Sequence, residues 1–415
     1  MAATLHSLLM DAVGHSHATK EGPIHTVRPG SPPELARVLA IARDKKTPLA
    51  PMGTGSIAHL GPQPDAQQHR IVLDTRRMTN LLHLDPLSLT VHAQAGISVG
   101  ALEHRLNQEG LTLGDFPAET YRSTLGGLLS ARAPGRATSR LGPIESTCIG
   151  LSAVLADGRT VHVKAVPRRA TGPDLMRLFL GSEGVLGVIT AAVLRIHRMP
   201  EARVFATHAL PSVDHAVDAA RRVLRRGARP GAMRIYDADD AMATGLTEVD
   251  PHGQALLLAT MTGPAEIVEA ERRILESAVR DGGGTPLPAA PAEKWWRDRA
   301  GPAAPSAPSP SGGGRYQVAA PLSRLGAIYR GVRASMLAHG AACSAFLGHF
   351  HEDGGSVYFS FPRSNENEAV AREAAVAAGG RPAAELGADE TLVRALRDLK
   401  KELDPQGILY GGRLV

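Results

Sequence analysis

An α+β fold in two domains is predicted by three features of this 415-residue chain. Strand-like alternation and helical spacing take turns along its length, and short glycine loops punctuate the first half. From about residue 203 the alternating segments lengthen, as expected where a second domain begins. A hydrophobic share of 43% is ample for ordinary cores, and the length suits two or three domains. Charged residues make up 21%, and most of the chain has no low-complexity run, which excludes a mainly disordered protein, a coiled coil or a fibre.

The elements follow in order. Ser31-Pro32-Pro33-Glu34 is a capping box with proline in the first turn, and Leu35, Val38, Leu39 and Ala42 then recur at helical spacing. The extended stretch LAPMG runs into Gly53-Thr54-Gly55-Ser56. Ile71, Val72 and Leu73, then the alternating Leu89, Val91, Ala93 and Ala95, read as strands. Gly96 and Gly110 bracket a helix with Leu102 and Leu106 on one face. Leu151, Ala153 and Leu155 alternate before Asp157-Gly158, a type I′ turn signal, and Val161 and Val163 form the return strand of a hairpin. Residues 187–196 read as a further strand. In the second half come a strand (VFATHAL), a helix over 212–227 and two strands (AMRIYD and QALLLATM). Residues 302–314, PAAPSAPSPSGGG, have almost nothing to bury and are expected to form a mobile loop or linker. A strand at 316–319, a helix at 322–339, a hairpin over 345–361 and two helical patterns in the last forty residues complete the order.

Charge and composition exclude several classes of function. Lys and Arg number 46 against 41 Asp and Glu, and this net +5 is spread along the chain instead of gathered in an arm or stripe. That distribution suits solubility and a small, anionic ligand, and no nucleic-acid partner is expected. Aromatic residues are only 4%, too few for base-stacking platforms. Two cysteines, Cys148 and Cys343, make neither a disulfide framework nor a four-thiolate zinc site, and they suit a reducing compartment. The first residues lack the basic start and apolar stretch of a signal peptide. No window holds about 18 uninterrupted apolar residues, so no transmembrane segment is expected. A cytoplasmic enzyme is the expectation.

Three glycine loops offer backbone to a phosphate. They are Gly53-Thr54-Gly55-Ser56, Ser123-Thr124-Leu125-Gly126-Gly127, and residues 181–187 (GSEGVLG). Short glycine loops present successive N–H groups to a diphosphate without side chains in the way. None matches the Walker pattern or the G-x-G-x-x-G of a Rossmann site. Singly, each is most often a plain turn; three, separated by strands, favour a large ligand gripped from several sides.

At these residues the sequence resembles a known family. The order PMGTGSIAHLG, IVLDTRRMTNLLHLD, LTVHAQAGISVGALEHRL, STLGGLLSARAPG, GPDLMRLFLGSEGVLGVIT and ELDPQGILYGGRLV is similar to the FAD-linked oxidases of vanillyl-alcohol oxidase/p-cresol methylhydroxylase type, nearest their alkyl-dihydroxyacetone-phosphate synthase branch. The likeness is continuous over roughly residues 25–200, fades in the middle and returns at 345–361 and in the tail. It implies an α+β fold in two parts. Residues 20–200 and the C-terminal return, 376–415, would form the FAD-binding domain. Residues 201–375 would form a cap, or substrate, domain whose antiparallel sheet covers the flavin ring. It also implies FAD as cofactor, with a homodimer as the family's frequent state. Gly53, Thr54, Gly55, Ser56 and Ile57 would occupy the pyrophosphate loop. Pro117, Ala118, Ser123, Thr124, Gly126, Gly127, Arg132 and Ala133 would line the flavin and its ribityl chain. Glu183, Gly184, Gly187, Val188 and Ile189 would lie near the adenine. Thr54 departs from the family's usual glycine, which a φ below zero would tolerate. His59 is the one nearby candidate for a covalent flavin link, although the nearest relatives bind flavin without one.

On the substrate side the resemblance breaks. The synthase branch exchanges an acyl group for a long-chain alcohol through flavin N5, and leans on a histidine-rich loop after a glycine pair near the C-terminus. Here Gly379-Gly380 runs into Arg381-Pro382-Ala-Ala-Glu-Leu-Gly, so the histidine run is missing, as is the glutamate–histidine pair of hydroxyacid dehydrogenases. Neither chemistry carries over intact. The branch's catalytic tyrosine falls on His351. His349 and His351, two apart on an expected strand, would point the same way, with Glu352 opposite. Two readings of His351 stay open: an acid/base group near flavin N5, or a hydrogen-bonded structural histidine. Gly348-His349 keeps a dipeptide that carries a metal ligand in hydroxyacid dehydrogenases, but without the second histidine no metal is expected. Arg234 matches an active-site arginine of the branch and would hold a carboxylate or phosphate, against the alternative of a solvated strand arginine. Trp295 and Trp296 would cover core or wall an apolar pocket.

Three functions follow from this pattern. The first is an FAD-dependent oxidoreductase, dehydrogenase or oxidase, acting on a small alcohol, hydroxy acid or biosynthetic intermediate by transfer to flavin N5. The second is a non-redox transferase acting through an N5 adduct. The third is a flavin-binding partner subunit without catalysis. The missing loop argues against an unmodified transferase, and the intact glycine loops beside His351 and Arg234 argue against a bystander, so the first is favoured.

Overall fold

The computed structural model describes residues 3–55, 69–114, 121–133, 135, 137–166, 171–246, 254–297, 314–382 and 390–409. The chain divides into two compact units, one of residues 1–135, 143–199 and 388–415, the other of residues 136–142 and 200–387. The expected loop at 302–313 lies outside the described residues, and Gly314 begins a strand.

The first unit holds two main sheets. Strands β1 (Ala18–Glu21), β2 (Ile24–Val27), β3 (Leu49–Met52) and β4 (Arg70–Asp74) run in the order β1-β2-β4-β3, with β2, β4 and β3 parallel. Helices Leu5–Val13 and Pro32–Asp44 cover it, packing Leu9, Val38 and Leu39 with Val27, Ile71 and Leu73. The second of these starts as the capping box requires: Ser31 Oγ accepts from the Glu34 N–H at 3.3 Å. Strands β5 (Leu81–Asp85), β6 (Thr90–Gln94), β8 (Cys148–Val154), β9 (Thr160–Val163) and β10 (Val188–Arg195) form an antiparallel sheet in the order β5-β6-β10-β8-β9, while β7 (Leu111–Thr112) pairs separately with β11 (His197–Arg198).

The β8–β9 turn differs from the one expected. Asp157 is not at positive φ, whereas Gly158 is, at 89°. The Gly158 N–H donates to Leu155 O and the Leu155 N–H to Arg159 O, each at 2.9 Å. This is a type I turn closed by a left-handed glycine, a three-residue loop in place of the two-residue type I′, and Asp-Gly satisfies both. Of the last forty residues, those described hold the final residues of helix Asn365–Ala377 and one further helix, Glu390–Leu403. Beyond it the tail joins the first unit: Leu49 donates to Ile408 O at 2.7 Å, and Lys400 Nζ donates to Val185 O and Leu409 O, each at 2.9 Å.

Among the described residues the second unit is built on one antiparallel sheet of eight strands. These are β12 (Ala202–Leu210), β13 (Ala232–Tyr236), β14 (Ala255–Gly263), β15 (Thr285–Leu287), β16 (Gly314–Pro321), β17 (Ser344–Gly348), β18 (Gly354–Phe361) and β19 (Arg381–Pro382), in the order β15-β12-β14-β13-β17-β18-β16-β19. Because side chains alternate across a strand, each contributes to two different cores. Ile235, Leu257, Met261, Leu347 and Phe359 face the helices Val213–Arg225, Ala265–Asp281, Leu322–Ala338 and Asn365–Ala377. Tyr236, Leu256, Leu258, Phe346 and Tyr358 face the other way, where helix Ala290–Arg297 brings Ala292 and Trp295.

A short helix, Thr138–Leu141, belongs to this second unit although it precedes most of it in sequence. Arg140 Nη1 donates to both carboxylate oxygens of Glu271 (3.0 and 3.1 Å) and to Arg229 O (2.9 Å), and the Arg229 N–H donates to Glu271 as well. Glu271 is 5% exposed. Arg140→Ala would leave that carboxylate without its cation and should cost about 3 kcal/mol, read as a fall in urea midpoint at unchanged m-value, with Arg140→Lys recovering part. An unchanged midpoint would mean that the pair contributes nothing. Among the described residues no helix is long and apolar enough to cross a membrane.

Candidate functional site

In the first unit the three glycine loops meet. A Cβ on Gly53 would overlap the Thr124 hydroxyl. Thr124 is itself fixed as the N-cap of helix Leu125–Ala131, its Oγ1 accepting from the Gly127 N–H at 3.3 Å. Gly126 donates to Ala95 O at 2.8 Å, and a Cβ there would stand 2.9 Å from that of Ala95. The third loop is tied to the same helix, since Gly181 donates to Leu129 O (3.1 Å) and Glu183 to Ser130 O (2.9 Å). Gly184, at φ +83°, leaves 3.0 Å between a would-be Cβ and Pro51 on β3. Glycine at 53, 126 and 184 is therefore what lets the loops close on one another. Thr54 is not at positive φ, and Gly55, at φ +73°, makes the left-handed turn.

The other expected residues of this region divide. Ser123 and Thr124 are buried, and Arg132 caps its helix in the left-handed conformation, followed by Ala133, whose N–H donates to Leu128 O at 3.0 Å. Val188 and Ile189 send their side chains into the core, and a Cβ on Gly187 would come within 3.0 Å of the Phe179 ring, so contact with a ligand from these positions would come from backbone. Ser56, Ile57, Pro117 and Ala118 lie outside the described residues, as does His59. The gathered loops, with a Cβ excluded at three points, suit a large ligand bearing a diphosphate.

In the second unit a second cluster occupies the sheet face opposite the four long helices. Phe346 and Tyr358, cross-strand partners on β17 and β18, stack with ring centres 4.5 Å apart. Arg234 lies over Phe346 at 4.6 Å and over Trp295 at 5.1 Å, and its Nη1 donates to the Tyr236 hydroxyl at 3.3 Å. Arg315, at the start of β16, lies over the same Phe346 ring at 5.2 Å. Arg203 covers Trp296 at 4.8 Å, so the tryptophan pair both buries sheet and lines the arginine face. Among the described residues neither Arg234 nor Arg315 makes an ion pair. The nearest balancing charge is Asp240, which is buried and accepts from Ser344 Oγ at 2.9 Å. Burial pushes its carboxyl up, and the Ser344 hydrogen bond and the charges of Arg315 and Arg234 push it back. Two guanidiniums against one such carboxylate leave this face positive.

His349 and His351 are not on a strand. β17 ends at Gly348, and His349 takes a left-handed φ of 52°, so the two side chains do not share a strand's alternation. The HFHEDGG stretch carries polar residues that look like an exposed strand edge, but the chain turns two residues earlier. His349 is half-buried, its ring 5.7 Å from that of Tyr358, and its Nδ1 is 3.1 Å from the Thr138 hydroxyl. Burial foremost, then Arg234 and His351, hold its imidazole down at about 3. The His351 N–H donates to Gly354 O at 2.8 Å. Its side chain lines a separate cavity of about 360 Å³ with Ser139, Leu224, Arg229, Glu352 and Asp353. Arg229 Nη2 donates to Glu352 there at 2.6 Å.

Two participants escaped the sequence reading. Arg315 directly follows the proline-serine-glycine run and looked like the end of a linker. Thr138 stands 211 residues from His349, and no periodicity joins them.

Comparison with known proteins finds matches over most of the chain. Residues 23–164 match the family described as FAD binding domain, and residues 199–387 match FAD linked oxidases, C-terminal domain. The chain is 32% identical over 257 residues to the uncharacterized FAD-linked oxidoreductase YgcU of Escherichia coli O157:H7, covering 62% of this chain and 52% of that one. It is 31% identical over 260 residues to the alkyldihydroxyacetonephosphate synthase of Caenorhabditis elegans, covering 60% and 42% respectively. The chain thus spans about half the length of the curated relatives it matches. The fold is that of p-cresol methylhydroxylase, whose crystal structure with substrate bound superposes with a TM-score of 0.72 at 14% identity, over 98% of this chain and 95% of the other.

Proposed function

We propose that this chain, which belongs to the FAD-linked oxidases, oxidises a small hydroxy acid or a related anionic alcohol, as a dehydrogenase or oxidase. The observation that carries the reading is the positive, aromatic sheet face on which Arg234 and Arg315 stand without an ion-pair partner among the described residues. Roles divide between the units, with the glycine loops of the first assigned to FAD and the sheet face of the second to substrate. FAD, when bound, supplies a two-electron acceptor.

The chain's own residues have three tasks. Arg234 and Arg315 take the substrate carboxylate through charge-assisted hydrogen bonds, and Phe346 and Trp295 give its carbon skeleton an apolar floor. His349 takes the hydroxyl proton. Its imidazole is neutral at any working pH and so free to take a proton, and in the tautomer whose Nδ1–H donates to the Thr138 hydroxyl the receiving atom is Nε2. An anion seated on Arg234 offsets one of the charges that depress this imidazole and makes it a better base as substrate arrives. His349 is placed before His351 in this role because it touches the aromatic pair under the arginines, whereas His351 lines a different cavity. A reducing, cytoplasmic setting suits the two free thiols, and a homodimer, checked by light scattering, accompanies the reading. His349→Gln should lower kcat roughly 10²- to 10⁴-fold at unchanged flavin content. Undiminished turnover would return His349 to a structural role.

A further inference from the structure

We propose that His25 is an acid-sensitive latch: at neutral pH it keeps the N-terminal layer of the first unit, helix Leu5–Val13 with β1 and β2, closed, and protonation releases it. His25 lies on β2, is 2% exposed, and among the described residues neither of its ring nitrogens has a hydrogen-bond partner. A neutral imidazole carries one donor and one acceptor, so leaving both unmet in a buried place is a persistent cost. In place of partners the ring has other bases around it. His6, from the covering helix, stands with its ring centre 5.6 Å away, and its own Nδ1 is also buried and unpartnered. His69, leading into β4, meets it edge-on at 5.1 Å. Lys20 is its register partner on β1, and on its other side β4 offers the apolar Ile71.

Nothing in this set welcomes a proton. Burial foremost, then His69, His6 and Lys20, hold the imidazole at about 4, against an ordinary value of 6.5. With the layer open, His25 titrates at its ordinary value and binds more protons than the closed form between those two limits. The closed form therefore has its full advantage above pH 6.5 and loses it as pH falls. Taking 6.5 open and about 4 closed, the opening equilibrium at pH 5 exceeds that at pH 8 by about 30-fold. The release has a route into the fold, because β2 pairs with β4, β4 pairs with β3, and β3 leads into Gly53.

The test is a histidine ring titration by NMR on the full chain, with amide hydrogen exchange of Leu9 and Thr26 at pH 8 and pH 5, corrected for intrinsic rates. His25 should titrate near 4 and the opening should rise about 30-fold. His25→Leu should keep protection at pH 8 and abolish the rise. Should that variant not fold, the double variant His6→Gln/His69→Gln keeps His25 while removing two bases and should move its titration upward. A His25 that titrates near 6.5 in the folded chain, an opening equal at both pH values, or an unmoved titration in the double variant would overturn the proposal.

Discussion

Gly53→Val should strip the protein of flavin while leaving both units folded. The glycine stands where any Cβ overlaps the Thr124 hydroxyl and comes within 3.0 and 3.1 Å of Thr124 Cγ2 and Cβ. Thr124 has nowhere to retreat, because it is buried and its hydroxyl caps helix Leu125–Ala131. A branched side chain must therefore push the first glycine loop off the second, and the backbone groups proposed above to hold the diphosphate would separate. Gly55→Asp attacks the same loop differently, by placing a carboxylate against the diphosphate at a position whose φ of +73° already disfavours a side chain. For both, the flavin-to-protein absorbance ratio of the desalted protein should fall to near zero with the far-ultraviolet circular dichroism unchanged. Stoichiometric flavin in Gly53→Val would show that the convergence of these loops is not what holds the cofactor.

Arg234→Ala should raise KM for a hydroxy acid by roughly 10- to 100-fold, the loss expected when one or two charge-assisted hydrogen bonds go. The same variant should change KM little for the neutral alcohol with the same carbon skeleton, since that molecule has no carboxylate to lose. Arg234→Lys should recover part of the affinity but not the planar, two-point grip. Arg315→Ala should act in the same direction and more weakly, because Arg315 is the more exposed of the two. Equal losses for acid and alcohol would place Arg234 in the packing of Phe346 and Trp295 and not in substrate recognition.

Local signals in the sequence translated well into structure. The Ser31 capping box, the helix bracketed by Gly96 and Gly110, and the alternation of AMRIYD and QALLLATM each report physics contained within a short local stretch. The glycine loops were legible for the same reason, although only the fold reveals that Gly53 and Thr124 need one another. What the sequence hid depends on long range or on one dihedral angle. Asp157-Gly158 fits two turn types, and the choice rests on the φ of Asp157. His349 leaves the strand because of a single left-handed residue that no pattern announces. The aromatic face draws Tyr236, Trp295, Arg315, Phe346 and Tyr358 from four strands and a helix, so its arginine pair exists only in the folded sheet.

The most direct test of the central reading is anaerobic titration of the purified protein, watched through its visible flavin bands. The protein should carry those bands as isolated, release them to the supernatant on acid precipitation, and lose them when a hydroxy acid of the right skeleton is added without oxygen, with the corresponding keto acid formed in equal amount. Flavin bands that stay oxidised while a small-molecule substrate is nonetheless converted would contradict an oxidoreductase and point to chemistry without net electron transfer.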